Sequence, residues 1–173
     1  MHIATNSETI DISLEVKTAA IAKKLSKIVK KGDVIFFHGE IGVGKTTFIK
    51  HLINSFQEDN HLNLTEVTSP TFNLVNEYDV GNFIIQHYDL YRLTNSEEIK
   101  NIGLFENSRE ILTLIEWPEK IERKIERKIE RKIERKIERK IEYKIDLFFE
   151  YGDDLNKRFL SIKGLYGKKL NDI

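Results

Sequence analysis

Val34-Ile35-Phe36-Phe37-His38-Gly39-Glu40-Ile41-Gly42-Val43-Gly44-Lys45-Thr46-Thr47 is the stretch from which the fold of this chain can be read. Its first four residues form a short apolar run of the kind found in a buried parallel strand. A glycine-rich turn follows. Lys45–Phe56 then puts Phe48, Ile49, Leu52, Ile53 and Phe56 on one helical face. Residues 39–46 fit the pattern G-x-x-x-x-G-K-[ST], and the strand–loop–helix order is the setting such a loop requires. Glycines let successive backbone N–H groups curl around phosphates, and the helix that begins near Lys45 adds the positive end of its dipole. Lys45 is expected to bridge the β- and γ-phosphates of ATP, and Thr46 to place its hydroxyl on Mg²⁺. With glycine near 7% of residues, chance supplies about four such matches per 100,000 positions, so a fortuitous glycine turn is a poor explanation.

Outward from this unit, Thr18–Lys31 carries Ile21, Ala22, Leu25, Ile28 and Val29 at helical spacing, with Gly32 as a stop. Phe72–Tyr78 and Phe83–His87 flank Asp79-Val80-Gly81-Asn82, which predicts a hairpin. Asn95 with Glu98 three residues later reads as a capping box opening a short helix towards Gly103. Ile111–Ile115, Tyr143–Tyr151 and Arg158–Lys163 are the remaining strand candidates. Helices and strands alternate through the first half, so the fold class is α/β: a P-loop NTPase-like mixed sheet with a parallel centre flanked by helices. Residues 1–173 are expected to form a single domain, with 119–145 as a repetitive helical insertion.

That insertion repeats the unit Lys-Ile-Glu-Arg, with isoleucine at 121, 125, 129, 133, 137, 141 and 145. Its residues favour helix, and neither glycine nor proline interrupts it. Each four-residue step turns about 400°, so the isoleucine stripe drifts by about 40° per repeat and offers neither a straight face nor a heptad seam. A projecting, solvated helix is expected. Deleting Arg123–Ile137 should leave the melting temperature and ATPase activity unchanged. A collapse of either would mean that the repeat packs on the nucleotide-binding unit.

A P-loop needs a carboxylate near its metal, usually at the end of a neighbouring strand. Asp89 and Glu116 each follow an apolar run and could project at the carboxyl edge of a parallel sheet. Spacing does not decide which of them holds Mg²⁺ and which handles the attacking water. Ser69-Pro70-Thr71 stands where many nucleotide switches have a sensing loop, although a plain proline turn reads equally well. His38 and His87 read as packing or hydrogen-bonding residues, and Tyr88 and Tyr91 as core or interface residues.

The chain has 28 basic and 28 acidic residues, yet the charges are unevenly placed. Lys120–Lys144 holds seven Lys, five Arg and six Glu, a net +6 that is balanced by −6 in the remainder. There is no cysteine, which excludes disulfides and thiolate metal sites. Met1–Thr9 lacks the plan of a secretory signal, and no apolar run approaches the roughly 20 residues of a membrane helix. A cytoplasmic protein without a membrane partner is expected.

Gly39–Thr47, Ser69–Tyr78, His87–Leu93 and Leu114–Pro118 (GEIGVGKTT, SPTFNLVNEY, HYDLYRL and LIEWP) together resemble the TsaE (YjeE) family. These are small bacterial ATPases of tRNA threonylcarbamoyladenosine synthesis. The resemblance covers about residues 10–118 well and the last two strands loosely. It implies a nucleotide site made by Gly39, Glu40, Gly42, Val43, Gly44, Lys45, Thr46 and Thr47, with Trp117 beside it and Arg158 near the nucleotide. It also implies Thr46 and Glu116 as the Mg²⁺ ligands, with Asp89 and Lys45 serving hydrolysis and Ser69-Pro70-Thr71 forming a switch-like loop. The implied partners are a TsaB–TsaD-type pair, which modifies adenosine 37, with tRNA reached through that complex. Self-association is left open. The Lys-Ile-Glu-Arg repeat departs from the family, in which the segment after Glu-Trp-Pro is usually short.

Two other readings compete. A P-loop small-molecule kinase would add an arginine-bearing lid, but the only arginine-rich stretch here is periodic and mixed with glutamate. A nucleic-acid-binding protein would use the +6 segment, but alternating glutamates dilute its potential and no aromatics are interleaved. No arginine finger is evident near the phosphates, so slow hydrolysis by the isolated protein is expected.

Overall fold

The computed structural model describes residues 9–70, 72–121 and 143–165. The elements in chain order are β1 (Ile10–Asp11), α1 (Glu15–Ser26), β2 (Asp33–His38), α2 (Lys45–Asp59), β3 (Val75–Asp79), β4 (Ile84–Asp89), α3 (Ser96–Asn101), β5 (Ile111–Glu116), β6 (Tyr143–Tyr151) and β7 (Arg158–Lys163). All seven strands form one sheet in the order β1-β7-β6-β2-β5-β4-β3. β2 pairs in parallel with both β5 and β6, and β5 in parallel with β4, while β3, β7 and β1 add antiparallel edges. The expected mixed sheet with a parallel centre is therefore present.

Alternation along the central strands splits the core in two. Ile35 and Phe37 of β2 join Leu112 and Leu114 of β5 under α1 and α2, whose Ala22, Leu25, Phe48, Leu52 and Ile53 are buried. Val34 and Phe36 point the other way, into a smaller cluster with Tyr88, Leu90, Leu93, Phe105, Ile115 and Ile121. A strand buried on both faces must be apolar throughout, as the Val34–Phe37 run is. Each such side chain contributes roughly 1.5–3 kcal/mol on burial.

Several boundaries differ from the sequence expectation. α1 begins at Glu15 instead of Thr18 and ends at Ser26 instead of Lys31. Ser26 Oγ donates back to the Lys23 carbonyl at 2.8 Å, and the N–H groups of Lys27 and Ile28 bond three residues back, which tightens and ends the helix. Gly32, at φ +92°, then turns the chain into β2. β3 starts at Val75 instead of Phe72 because Leu74 takes φ +60°, which breaks the extended run and leaves Phe72 exposed. In the β3–β4 hairpin, Asp79 Oδ1 accepts from the Gly81 N–H at 2.7 Å. The capping box is formed: Asn95 accepts from the Glu98 N–H, and the Glu98 side chain returns to the Asn95 N–H. Residues 119–121 are helical, and Tyr143–Ile145 already belong to β6, so the strand begins inside the 119–145 segment. Most of the repeat, residues 122–142, lies outside the described residues, as does Thr71. Among the described residues no helix is long and apolar enough to cross a membrane.

Candidate functional site

The site sits where the parallel strands end. In the β4–β5 register Asp89 stands opposite Glu116, and in the β2–β5 register Phe37 stands opposite Glu116. Both carboxylates thus come level with the loop that leaves β2. That loop is shaped by glycine. Gly39 lies at φ +144°, and a Cβ there would come within 2.6 Å of the Phe149 carbonyl oxygen, so a side chain is excluded by conformation and by space. Gly44, at φ +110°, is the N-cap of α2 and offers no side-chain cap; the first turn of the helix carries no acidic residue. Its opening N–H groups therefore have no capping side chain and favour an anion.

A cavity of about 380 Å³ opens at this edge. It is lined by Gly42, Gly44, Lys45, Thr46 and Thr47 from the loop and helix start, by Ser69 and Pro70, and by Asp89, Glu116 and Trp117 from the strand ends. Thr46 Oγ1 donates to Glu116 Oε1 at 2.9 Å, across a sequence separation of 70. His87 Nε2 meets the same oxygen, also at 2.9 Å. Asp89 accepts from Ser69 Oγ and from the Tyr91 N–H, the latter at 3.0 Å. Lys45 Nζ donates to the Gly39 and Glu40 carbonyls at 2.6 and 2.8 Å, and lies 4.4 Å from the Trp117 ring centroid. Burial pulls the Lys45 ammonium below the ordinary lysine range, against the opposing pull of Glu116, Asp89, Glu119 and Glu40. Trp117 itself takes φ +61°, a conformation that costs a bulky residue about 1–3 kcal/mol and that here accompanies an indole on the cavity wall.

Apart from Tyr91, the remaining sequence candidates fall elsewhere. The Val43 side chain is fully buried in the larger core, so Val43 can offer a ligand only its backbone. Gly39 and Glu40 line a second hollow of about 640 Å³ on the β6 side of the loop, with Phe148, Tyr151 and Leu155. Arg158 lines neither hollow. Its guanidinium lies 6.0 Å over the Tyr151 ring, whose hydroxyl donates to the Ile41 carbonyl at 3.1 Å, so it meets the loop through an intermediary. His38 Nε2 lies 2.8 Å from Asp146 Oδ1, and its ring stacks on Phe148. Burial raises the pKa of Asp146, but the hydrogen bond from His38 and the charge of Lys144 outweigh it and hold the carboxyl below its usual range. Tyr88 is buried, and burial with Glu77 and Glu106 pushes its phenol up to about 12. Tyr91 is half-exposed on the cavity wall, its ring 4.9 Å from Trp117.

Two residues at the site go beyond the sequence expectation. Arg92, which the sequence reading did not single out, lines the cavity with its guanidinium 5.8 Å over the ring of Phe72. Nothing in the spacing marks it, because it lies in the irregular turn after β4. His87, expected only to pack or to hydrogen-bond, meets the very carboxylate oxygen that Thr46 meets. The period-two spacing from His87 to Asp89 is the signal that both share a sheet face.

Among the described residues no three His, Asp or Glu groups cluster as a metal site. The donors present, one threonine hydroxyl and one carboxylate beside the glycine-rich loop, suit Mg²⁺, which takes one or two protein oxygens and completes its shell with substrate phosphates and water.

Known proteins match most of this chain. The family model described as "Threonylcarbamoyl adenosine biosynthesis protein TsaE" matches residues 12–144. The chain is 43% identical over 108 residues to the tRNA threonylcarbamoyladenosine biosynthesis protein TsaE of Rickettsia felis, covering 62% of this chain and 61% of that protein. It is 42% identical over 117 residues to the Rickettsia bellii protein of the same name, covering 68% of this chain and 78% of the relative. The Bacillus subtilis protein is 38% identical over 110 residues, with 62% and 65% covered. The match thus spans about three fifths of the length of the Rickettsia felis relative. The crystal structure of YdiB from Bacillus superposes with a TM-score of 0.58 over 91% of this chain and 85% of that one, at 21% identity, which shows a shared fold.

Proposed function

The chain belongs to the TsaE family, and from that membership we propose that it is the Mg²⁺-dependent ATP-binding and ATP-hydrolysing subunit of tRNA threonylcarbamoyladenosine synthesis. It would act in the cytoplasm with a TsaB–TsaD-type pair, its hydrolysis supporting turnover of that complex and not performing the transfer to adenosine 37. The observation that carries this reading is the convergence of Lys45, Thr46, Asp89 and Glu116 on one cavity at the carboxyl edge of the parallel strands. On nucleotide entry Lys45 exchanges the Gly39 and Glu40 carbonyls for the β- and γ-phosphates, while the opening N–H groups of α2 receive the remaining phosphate charge. Thr46 and Glu116 would hold the Mg²⁺, which when bound supplies charge neutralisation at those phosphates. Asp89, oriented by Ser69 and the Tyr91 N–H, orders the attacking water and accepts its proton. The hollow beside Tyr151 would take the base.

Hydrolysis by the isolated protein is expected to be slow and to rise when the TsaB–TsaD pair is added. Arg92 is exposed on the cavity wall, and ordering an arginine against the phosphates speeds many P-loop enzymes by about 10³–10⁵. ATP turnover measured alone and with the co-purified pair tests this. Fast turnover by the pure protein, unaffected by the pair, would instead favour an independent enzyme such as a small-molecule kinase.

A further inference from the structure

Glu116 is only 3% exposed, and among the described residues both of its side-chain hydrogen bonds fall on one oxygen, Oε1. The partners differ in kind. Thr46 Oγ1 belongs to the phosphate-binding helix and faces the cavity. His87 is wholly buried on β4, does not line the cavity, and cannot reach a ligand. A carboxylate has no hydrogen to give, so the hydrogen between the two groups sits on Nε2. The other ring nitrogen, Nδ1, is buried without a hydrogen-bond partner among the described residues, so a second hydrogen there would be left unsatisfied. The contact therefore selects the Nε2–H tautomer.

We propose that His87 is a positioning residue that pins Glu116 Oε1 through Nε2–H and so presents Oε2 to a divalent cation. The inference rests on the reading that Thr46 and Glu116 hold the metal, and deepens it. An uncharged donor suits the task. It orients the carboxylate without cancelling the charge that attracts the cation, whereas a lysine or arginine at the same place would compete with the cation at close range. The position follows from the sheet. In the parallel register His87 faces Leu114, two residues before Glu116 on the same face of β5, so the imidazole lies beneath the carboxylate and not beside the ligand.

Two measurements on the full chain test it. In nucleotide- and metal-free protein, ¹⁵N-resolved imidazole spectra should show the His87 hydrogen on Nε2, and the signal should shift in Glu116→Gln. A hydrogen found on Nδ1 overturns the inference without any activity assay. ATP affinity is then measured in EDTA and in Mg²⁺ for wild type, His87→Leu and His87→Gln. Without Mg²⁺ all three should agree within about twofold. The Mg²⁺-dependent gain should fall about 10–100-fold in His87→Leu and return within about threefold in His87→Gln, whose amide N–H can occupy the place of Nε2. A full Mg²⁺ gain in His87→Leu, or an equal loss in the glutamine variant, overturns the positioning role. If His87→Leu does not fold, the glutamine variant and the tautomer decide. A wild-type protein whose ATP binding ignores Mg²⁺ overturns the proposed metal site and this inference with it, whereas a failure confined to His87→Leu leaves the proposed function standing.

Discussion

Lys45→Ala is expected to remove ATP binding almost entirely while the protein stays folded. Lys45 is 4% exposed, and its ammonium already meets two loop carbonyls, so the side chain is held where phosphates would arrive. Charge-assisted hydrogen bonds contribute about 1.5–3 kcal/mol each. Losing two of them lowers affinity by roughly 10²–10⁴-fold. Stability should change little, because the ammonium is itself disfavoured by burial and its removal relieves that penalty. Trp117 is the single tryptophan of the chain and lies against Lys45, so its fluorescence reports nucleotide entry directly. Calorimetric titration and a melting curve complete the measurement. Wild-type affinity in a folded Lys45→Ala protein would sink the phosphate-binding role.

The second large effect separates the two carboxylates. Glu116→Gln is expected to keep ATP binding in EDTA and to lose most of its Mg²⁺-dependent gain. The amide oxygen can still accept from Thr46 and His87, but the negative charge is gone. Glu116→Ala should in addition lower stability by about 1–3 kcal/mol, because the buried His87 N–H and the Thr46 hydroxyl lose their acceptor. Asp89→Asn should bind Mg²⁺ and ATP as the wild type does and hydrolyse about 10²–10⁴-fold more slowly, as a lost general base predicts. Titration with and without Mg²⁺, followed by single-turnover hydrolysis, distinguishes them. The opposite pattern would require the two roles to be exchanged.

Local chemistry accounts for the elements that are legible in the sequence. The glycine-rich loop after β2 is legible because its conformation is demanded within a few residues. Gly39 and Gly44 sit at positive φ, and the adjoining strand and helix show their own periodicities. The capping box at Asn95 and Glu98 and the hairpin around Gly81 are legible for the same reason. The carboxyl end of α1 is not, because Ser26 turns back on its own helix, and that choice competes with helix continuation on nearly equal terms. β1 leaves no signal because two residues carry no period.

The sequence by itself determined a glycine-rich loop between a buried strand and a helix, and two acidic residues at the ends of apolar runs. Tertiary structure alone decided that those acids line one cavity beside the loop. Thr46 and Glu116 are 70 positions apart, and their contact depends on β5 lying beside β2 in one particular register. A shift of one residue would turn Glu116 to the other face of the sheet. The same long-range pairing placed His87 under Glu116, brought Arg92 onto the cavity wall and left Arg158 behind Tyr151. Backbone preference is encoded over a few neighbouring residues, so it survives in a linear reading. Strand order and register are settled by the joint burial of both sheet faces, which no single segment contains.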